Sequence, residues 1–200
     1  MKKLLAGLAL AVVASSAAAA PMTMVADHAA GWQYQTIRAD LWPAATWATV
    51  DYSTYTSNAT GPWSTGTAAF GNVVQATTNW AANTDLALQY TFNFFGTAAD
   101  LLLNVAVDNG FAIFLNGVQV AKDNAEGFTN YWEYTFNLNP SSLAQGLNVL
   151  QVLAEDHGGA TYFDLKLSST DVDEARVPVP ATMVLLATGL LGLAASRRRR

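Results

Sequence analysis

The stretch that decides the fold is DLALQYTFNF, residues Asp85–Phe94. Large apolar side chains take every second position of this stretch, and polar or small ones take the positions between. The apolar positions are Leu86, Leu88, Tyr90, Phe92 and Phe94. Because successive side chains of a β-strand point to opposite faces, this alternation predicts a strand with one apolar and one polar face.

The residues that follow predict three more strands. A nearly continuous apolar run, Leu101–Val107, is followed by Asn109-Gly110 and then by Phe111–Leu115. Asn116-Gly117 comes next, before Val118–Val120. Asn and Gly tolerate positive φ, so each of the two pairs suits the tight turn of a β-hairpin. The sequence therefore predicts a three-stranded meander.

Strand patterns continue towards the C-terminus. Trp132–Leu138 alternates apolar and polar side chains, and so does Tyr162–Ser168. Leu147–Ala154 is apolar at most positions on both faces. We therefore expect this stretch to be a strand that is covered on both sides.

Helices are not predicted in the middle of the chain. No window of 12 residues between 21 and 176 has a helical period, and Pro140–Gln145 is at most one helical turn. Two short strands are predicted near Gln33–Arg38 and Ala48–Tyr52. Many short strands with turn signals at regular spacing predict an all-β fold, an antiparallel β-sandwich, over residues 20–168.

Charge is distributed unevenly along the 200 residues. The segment 21–176 holds four basic residues and all 15 acidic ones, so its net charge is −11. This excess repels phosphate backbones and argues against nucleic-acid binding. The lack of cysteine excludes a disulfide framework and thiolate sites. Residues 169–176 are acidic and poor in apolar side chains, which predicts a solvated linker.

The N-terminus has the pattern of a secretory signal peptide. Two lysines precede the apolar run Leu4–Val13, and Ala17–Ala20 supplies small residues for cleavage. A cut after Ala19 fits the A-x-A pattern. We predict a signal peptide of residues 1–19 and export of the chain, with an uncleaved membrane anchor as the alternative.

The C-terminus contains a second membrane-directed segment. The apolar stretch Ala181–Ala195 would span about 22 Å as a helix, against roughly 30 Å of hydrocarbon, so it is a marginal transmembrane helix. Arginines that follow such a segment stay cytoplasmic, which places the acidic domain outside. The flanking residues are Val177, Pro178, Val179 and Pro180 on one side and Arg197, Arg198, Arg199 and Arg200 on the other.

This order of a Pro-x-Pro motif, a short apolar helix and a terminal Arg cluster resembles the PEP-CTERM sorting signal of Gram-negative bacteria, here residues 177–200. The resemblance implies recognition by an exosortase. This membrane-embedded cysteine transpeptidase cuts near the Pro-x-Pro motif and passes the protein to the cell surface. The usual central Glu is Val179 here, so the role of that acid is not carried over. An ordinary C-terminal anchor is the alternative.

The middle segment is similar to the galactose-binding-domain-like jelly roll over about residues 45–168. The matching stretches are Gly66–Gly71, Leu86–Phe94, Ala106–Gly117 and Gly146–Leu150. The resemblance implies a jelly roll of the kind found in glycan-binding modules and in non-catalytic domains of glycosidases. These residues form turns and strands, so the resemblance indicates fold more than function. Asp108 and Asn148 are interpreted as hydrogen-bonding residues of turns and loops.

Few residues suggest catalysis or metal binding. The tightest polar cluster, Glu155-Asp156-His157, is interpreted as a hydrated hairpin end. A calcium ion held by Asp123, Asn124 and Glu126 would have the hard oxygen ligands it prefers, although solvated turn residues are the simpler interpretation. No nucleophile elbow or His-rich motif occurs, and no carboxylate pair stands out for glycoside hydrolysis. The chain is predicted not to be an enzyme and to need no cofactor other than calcium.

Aromatic side chains are the remaining candidates for ligand contact. Sugars lay their apolar C–H faces on flat rings, while amides and carboxylates bind the hydroxyl groups. The candidate carbohydrate-binding residues are Trp63, Trp80, Tyr131, Trp132, Asn130 and Glu133. Core packing is the alternative for each tryptophan.

Together these features predict an exported surface or extracellular-matrix protein that an exosortase processes and whose sandwich binds a glycan. The inner membrane is a transient partner through the C-terminal helix. The net charge of the middle segment favours neutral glycans, or acidic ones only with calcium present. The alternatives are a structural or adhesive protein without a small-molecule site and, third, a glycoside hydrolase.

Overall fold

The computed structural model of the protein describes residues 20–37, Tyr52, 62–123 and 132–174. These residues form strands and one short 3-10 turn, Pro140–Ser142, which agrees with the single helical turn expected there. The strands are β1 (Ala20–Val25), β2 (Ala30–Ile37), β3 (Ser64–Thr67), β4 (Phe70–Gly71), β5 (Thr78–Asn79), β6 (Asp85–Phe94), β7 (Gly96–Ala98), β8 (Leu102–Asp108), β9 (Phe111–Leu115), β10 (Val118–Asp123), β11 (Tyr134–Asn137), β12 (Gly146–Ala154) and β13 (Tyr162–Glu174).

The strands form two sheets that face each other. The first sheet has the order β11-β8-β13-β4-β5, with β1 and β7 also paired to β13. The second has the order β10-β9-β12-β6-β2-β3. All pairs are antiparallel except β4 with β5. The predicted all-β sandwich is therefore confirmed for the part of the chain that the structure describes.

Aromatic side chains join the two sheets across the core. Trp32 of β2 packs edge to face against Phe163 of β13, with 6.0 Å between the ring centroids. At the other side of the sandwich, Phe111 of β9 lies 5.2 Å from Tyr134 of β11. Such pairs add about 0.5–1.5 kcal/mol each to the burial of their surface. A chain without disulfides depends on these contacts to hold its two layers together.

Strand β6 forms where the alternation predicts it. Leu86, Leu88 and Phe94 are at most 2% exposed and point into the core. Ala87, on the face predicted to be polar, is also buried. Tyr52 belongs to the cluster that covers it and donates a hydrogen bond to the Leu88 carbonyl at 3.0 Å. The first half of β6 is thus covered on both faces, and only its second half has one polar face.

The predicted meander is wrong in one of its two turns. Asn116-Gly117 does form the hairpin between β9 and β10, with φ of 53° and 80°. Asn109-Gly110 instead carries the chain from the first sheet to the second, because β8 and β9 lie in different sheets. The Asn109 N–H donates to the Glu155 carbonyl at 2.8 Å, and the Glu155 N–H donates to the Gly110 carbonyl at 2.9 Å.

Asn148 has the structural role that its position suggests. Its side chain is fully buried, and its oxygen accepts hydrogen bonds from the Ala144 N–H and the Asn116 amide at 2.8 Å. Its own amide donates to the carbonyls of Ala144 and Gly146. All its polar atoms are therefore used to hold the loop before β12.

The acidic stretch predicted as a linker differs from that prediction, because residues 169–174 continue β13. Val172 is 2% exposed and lies opposite Ala20 of β1 on one side and Ala98 of β7 on the other. Alternating acids flank one buried valine, so the stretch has one apolar position that the core takes up. Residues 175 and 176, the signal peptide 1–19 and the sorting segment 177–200 lie outside the described residues.

No helix within the described residues is long and apolar enough to cross a membrane.

Replacing Val172 tests whether this last part of β13 is part of the folded core. We expect Val172→Ala to lower the free energy of unfolding by about 2 kcal/mol, because it removes a buried side chain from a packed strand. Asp173→Ala, one residue on and exposed, should change it by less than about 0.5 kcal/mol. Denaturant unfolding followed by tryptophan fluorescence measures both. Equal stability of the two variants would mean that 169–174 is a linker after all.

Candidate functional site

Five buried polar residues, four of them acidic, gather at one end of the sandwich, where β6 begins and β8 and β12 end. We call this set the acidic end. Each of its members is at most 9% exposed, which is rare for charged side chains because burial disfavours the ionised form. The members are Asp85, Asp108, Asn109, Glu155 and Asp156.

Hydrogen bonds between side chains and backbone hold the acidic end together. Asp156 accepts from the N–H groups of Asn83 and Gly158. Its own N–H donates to Asp85 at 3.4 Å. The Asn109 side-chain oxygen accepts from the His157 N–H at 2.8 Å. The segment after β12 is therefore fixed over the ends of β6 and β8.

The carboxylates of the acidic end disfavour one another's charge. Burial and, as the smaller cause, the neighbouring negative charge of Asp156 together raise the pKa of Asp108 to about 6. Burial also raises the pKa of Asp156, although the N–H groups of Asn83 and Gly158 and the charge of His157 oppose this. The His157 imidazole lies against the Glu155 carboxylate. This end therefore favours a proton, a cation or a ligand that donates hydrogen bonds.

A complete metal site is not formed by these side chains. In the described part of the chain, no three histidine, aspartate or glutamate side chains are grouped so that they could hold a metal ion. Of the predicted calcium ligands, Asp123 ends β10, and its charge contributes to raising the pKa of Tyr134. Asn124 and Glu126 lie outside the described residues.

Two of the predicted carbohydrate-binding residues, Trp80 and Trp63, differ in how far they are exposed to solvent. Trp80 is 1% exposed and its indole N–H donates to the Thr84 carbonyl at 2.7 Å, so it offers no ring face to a ligand. Trp80 belongs to the hydrophobic core, and the sequence alone did not distinguish this role from ligand binding. Trp63 is 36% exposed and directly precedes β3.

Trp132 lies next to the acidic end, and Glu133 follows it in the sequence. Trp132 is half-buried and packs against the cluster of Ala106 and Tyr162 on the outer face of the first sheet. Tyr162 is the partner of Asp108 in the register of β13 with β8. Glu133 is exposed, and its charge is among those that raise the pKa of Tyr134. Asn130 and Tyr131, the other two predicted residues, lie outside the described residues.

The sequence analysis missed a further buried carboxylate, Asp164, which is not a member of the acidic end. Asp164 is fully buried, and both its oxygens accept from the His28 N–H at 3.3 Å. Burial raises its pKa to about 6, which the N–H of Leu165 and the charge of His28 oppose. The two residues are 136 positions apart, so no local pattern could indicate the pair. They fix the turn between β1 and β2 to the face that also carries Tyr162.

Comparison with known proteins identifies the end of the chain. Residues 176–200 match the family model of the PEP-CTERM protein-sorting motif, which confirms the prediction from the Pro-x-Pro motif and the arginines. No curated protein matches the chain.

Three solved structures that resemble this chain have low sequence identity to it. A PA14 sugar-binding domain from an RTX adhesin has 16% identity and a TM-score of 0.42, covering 74% of this chain and 99% of that one. The PA14 domain of the antifreeze protein MpAFP has 14% identity and a TM-score of 0.44, covering 70% and 81%. A β-glucuronidase from Ruminococcus gnavus has 8% identity and a TM-score of 0.45, covering 76% of this chain and 29% of that one.

Stability should fall as the pH rises through the range in which the acidic end ionises. The folded pKa of Asp108, about 6, exceeds the ordinary value of 3.8, so the folded state holds this proton more tightly than the unfolded state does. Stability is therefore greatest below about pH 4 and is lost as the pH approaches 6 and above.

Asp108→Asn removes this penalty. We expect the variant to gain about 1–2 kcal/mol at pH 7.5 relative to the native chain and to lose part of the decline between pH 4 and 6, with Asp164 leaving a remainder. Glu133→Gln removes an exposed carboxylate nearby and serves as the control. Melting temperatures across this pH range measure the effect, and an unchanged pH profile in Asp108→Asn would contradict it.

Proposed function

We propose that the protein is exported, processed by an exosortase, and displayed at the cell surface or in the extracellular matrix, where its sandwich binds a glycan. The observation that carries the proposal is the sorting motif at residues 176–200. It follows an acidic domain whose polar groups converge at one end. Export and processing rest on the motif, and glycan binding rests on the chemistry of that end.

Charge supports the proposed topology. Basic residues flank both apolar ends of the chain, whereas the segment between carries a net charge of −11. Basic flanks stay in the cytoplasm, so both ends direct the acidic segment across the inner membrane. Removal of the two ends would leave an acidic surface protein.

Glycan binding is supported by the kinds of groups at the acidic end. Carboxylates and amides accept hydrogen bonds from sugar hydroxyl groups, and Trp132 lies beside Tyr162 on the neighbouring face. Asp108, Asn109 and Asp156 are themselves buried, so the residue that we assign to direct contact with the glycan is Trp132, as the aromatic platform. The negative charge favours a neutral glycan.

Calcium fits part of this proposal. Burial and the negative charge of Asp156 raise the pKa of Asp108, and carboxylate oxygens such as theirs are the donors that calcium prefers. The ion takes about six to eight oxygens, so Asn109, backbone carbonyls, water or the glycan itself would complete the shell. Bound calcium would lower the mutual repulsion of these carboxylates and attract the ligand's hydroxyl oxygens.

A structural or adhesive protein without a small-molecule site is the second candidate. The hydrogen bonds between Asp156 and the backbone favour it, because they give the acidic end an architectural use. A glycoside hydrolase is third and would differ from both by turnover of its ligand.

Binding measurements on the processed protein distinguish these candidates. We expect a neutral glycan to bind in the presence of calcium and to be lost with a chelator. Trp132→Ala should weaken binding about tenfold, by removing a stacking face. Trp63→Ala, at the opposite sheet edge, is the matched control. No binding to a glycan array at millimolar sugar would favour the structural candidate, and release of cleaved sugar would favour the hydrolase.

Processing is tested by intact-mass analysis of the protein recovered from the surface of its own host. We expect a chain that begins near Ala20 and lacks Arg197–Arg200. Deletion of these four arginines should abolish surface display. A surface form that retains the whole arginine tail would contradict exosortase processing.

A further inference from the structure

The two ends of the described chain leave the first sheet at the same corner. Ala20, where β1 begins, lies opposite Val172 near the end of β13. The two strands are antiparallel, so the first residue of β1 and the last residues of β13 lie at the same end of the sheet. Neighbouring strands lie about 4.8 Å apart. The segments assigned to signal peptidase and to exosortase therefore start side by side.

This corner is held firmly. Val172 is buried, and the last residues of β13 also pair with β7, Glu174 opposite Gly96. Asp100 accepts hydrogen bonds from the Ser169 hydroxyl at 2.6 Å and from the Thr170 N–H at 2.8 Å. These bonds lower the pKa of Asp100 to about 2, so the carboxylate is charged at neutral pH. The end of β13 is consequently part of the folded domain, which limits how far it reaches towards an enzyme.

The distance between the folded corner and the sorting motif is short. Three residues, 175–177, separate Glu174 from Pro178. The four residue steps from Glu174 to Pro178 reach at most about 14 Å in a fully extended chain. An enzyme that acts at Pro178–Pro180 must therefore approach within reach of side chains at the corner.

We propose that this processing corner, consisting of Ala20, Pro21, Thr97, Asp171 and Asp173, is the surface that docks on the exosortase. All five residues are exposed. Asp171 and Asp173 make the surface acidic, so its partner is a protein face with basic residues and not the anionic bilayer. The inference rests on the proposed function and adds to it which face of the substrate the enzyme contacts.

Strand β13 connects the acidic end to the processing corner. β13 has 13 residues, which extend over about 43 Å. Its first residue, Tyr162, lies beside Asp108 of the acidic end, and its last residue lies at the processing corner. The acidic end therefore faces away from the membrane while the sorting segment is still attached.

Crosslinking from single cysteines tests the docking surface. The chain has no cysteine, so one introduced residue gives one defined attachment point. Thr97→Cys and Pro21→Cys place a photo-crosslinker at the corner. Gly159→Cys places it at the acidic end, where an added Cβ meets nothing within 4 Å. The full chain is expressed in its host with an exosortase whose catalytic cysteine is replaced, so that the substrate stays bound.

We expect the two corner positions to form an exosortase adduct and Gly159→Cys to form about tenfold less. Equal adducts from all three positions, or an adduct from Gly159→Cys alone, would overturn the proposal. Crosslinks from the corner to lipid without exosortase would overturn it in favour of contact with the bilayer.

Charge neutralisation tests the chemistry of the contact. We expect the double variant Asp171→Asn and Asp173→Asn to be trimmed about three- to tenfold more slowly than the native chain. Asp27→Asn with Glu133→Gln removes the same charge from exposed positions away from the corner and should be trimmed at the native rate. Melting temperatures show whether both double variants fold.

Trimming of the native chain and of the corner variant distinguishes the proposed function from the docking surface. If the native chain itself keeps Arg197–Arg200 at the surface, the proposed function is wrong. If the native chain is trimmed and the corner variant is trimmed equally fast, only the docking surface is wrong.

Discussion

Strand β13 is the constraint on which the rest of the sandwich depends. It pairs with β8 and β7 along one side and with β4 and β1 along the other, so four strands find their register from it. Its inward side chains, among them Phe163 and Leu165, are fully buried in the common core. A shift of this strand by one residue would turn these apolar side chains away from the core and point the Asp164 carboxylate into it. Both ends of the molecule are thereby fixed by one element.

The acidic residues at the far end of β13 are costly to the fold. Burying a carboxylate is unfavourable unless it receives hydrogen bonds, and here backbone N–H groups supply only part of what Asp156 loses from water. Asp108 and Asp164 remain groups whose ionisation works against folding at neutral pH. The aromatic pairs Trp32–Phe163 and Phe111–Tyr134 join the two sheets close to this end, and their packing offsets part of the cost. The residues that stabilise the fold are thus not the ones that form the acidic end.

Sequence patterns predicted the elements that depend on local chemistry. The alternation of Asp85–Phe94 and the Asn116-Gly117 hairpin both follow from the backbone preferences of a few adjacent residues, and the structure contains them. The pairing of strands depends on residues distant in sequence and could not be obtained in this way. Asn109-Gly110 has the composition of a hairpin turn, but whether the next strand folds back or crosses to the other sheet depends on where β12 offers free backbone groups.

The same limit explains the errors at the candidate site. A tryptophan near a turn is an equally good ring for a sugar and for a core. Trp80 lies in the core, where its indole N–H donates to the Thr84 carbonyl and its own carbonyl accepts from the Thr161 hydroxyl. In the acidic stretch after Ser168, one valine among charged residues gives too weak a pattern to predict a strand. Val172 is nevertheless enough, because β1 and β7 bring the backbone partners and the core needs only one side chain there. Thr170, Asp171 and Asp173 of that stretch are exposed, and this is why a segment that resembles a linker can be a rigid end of the domain.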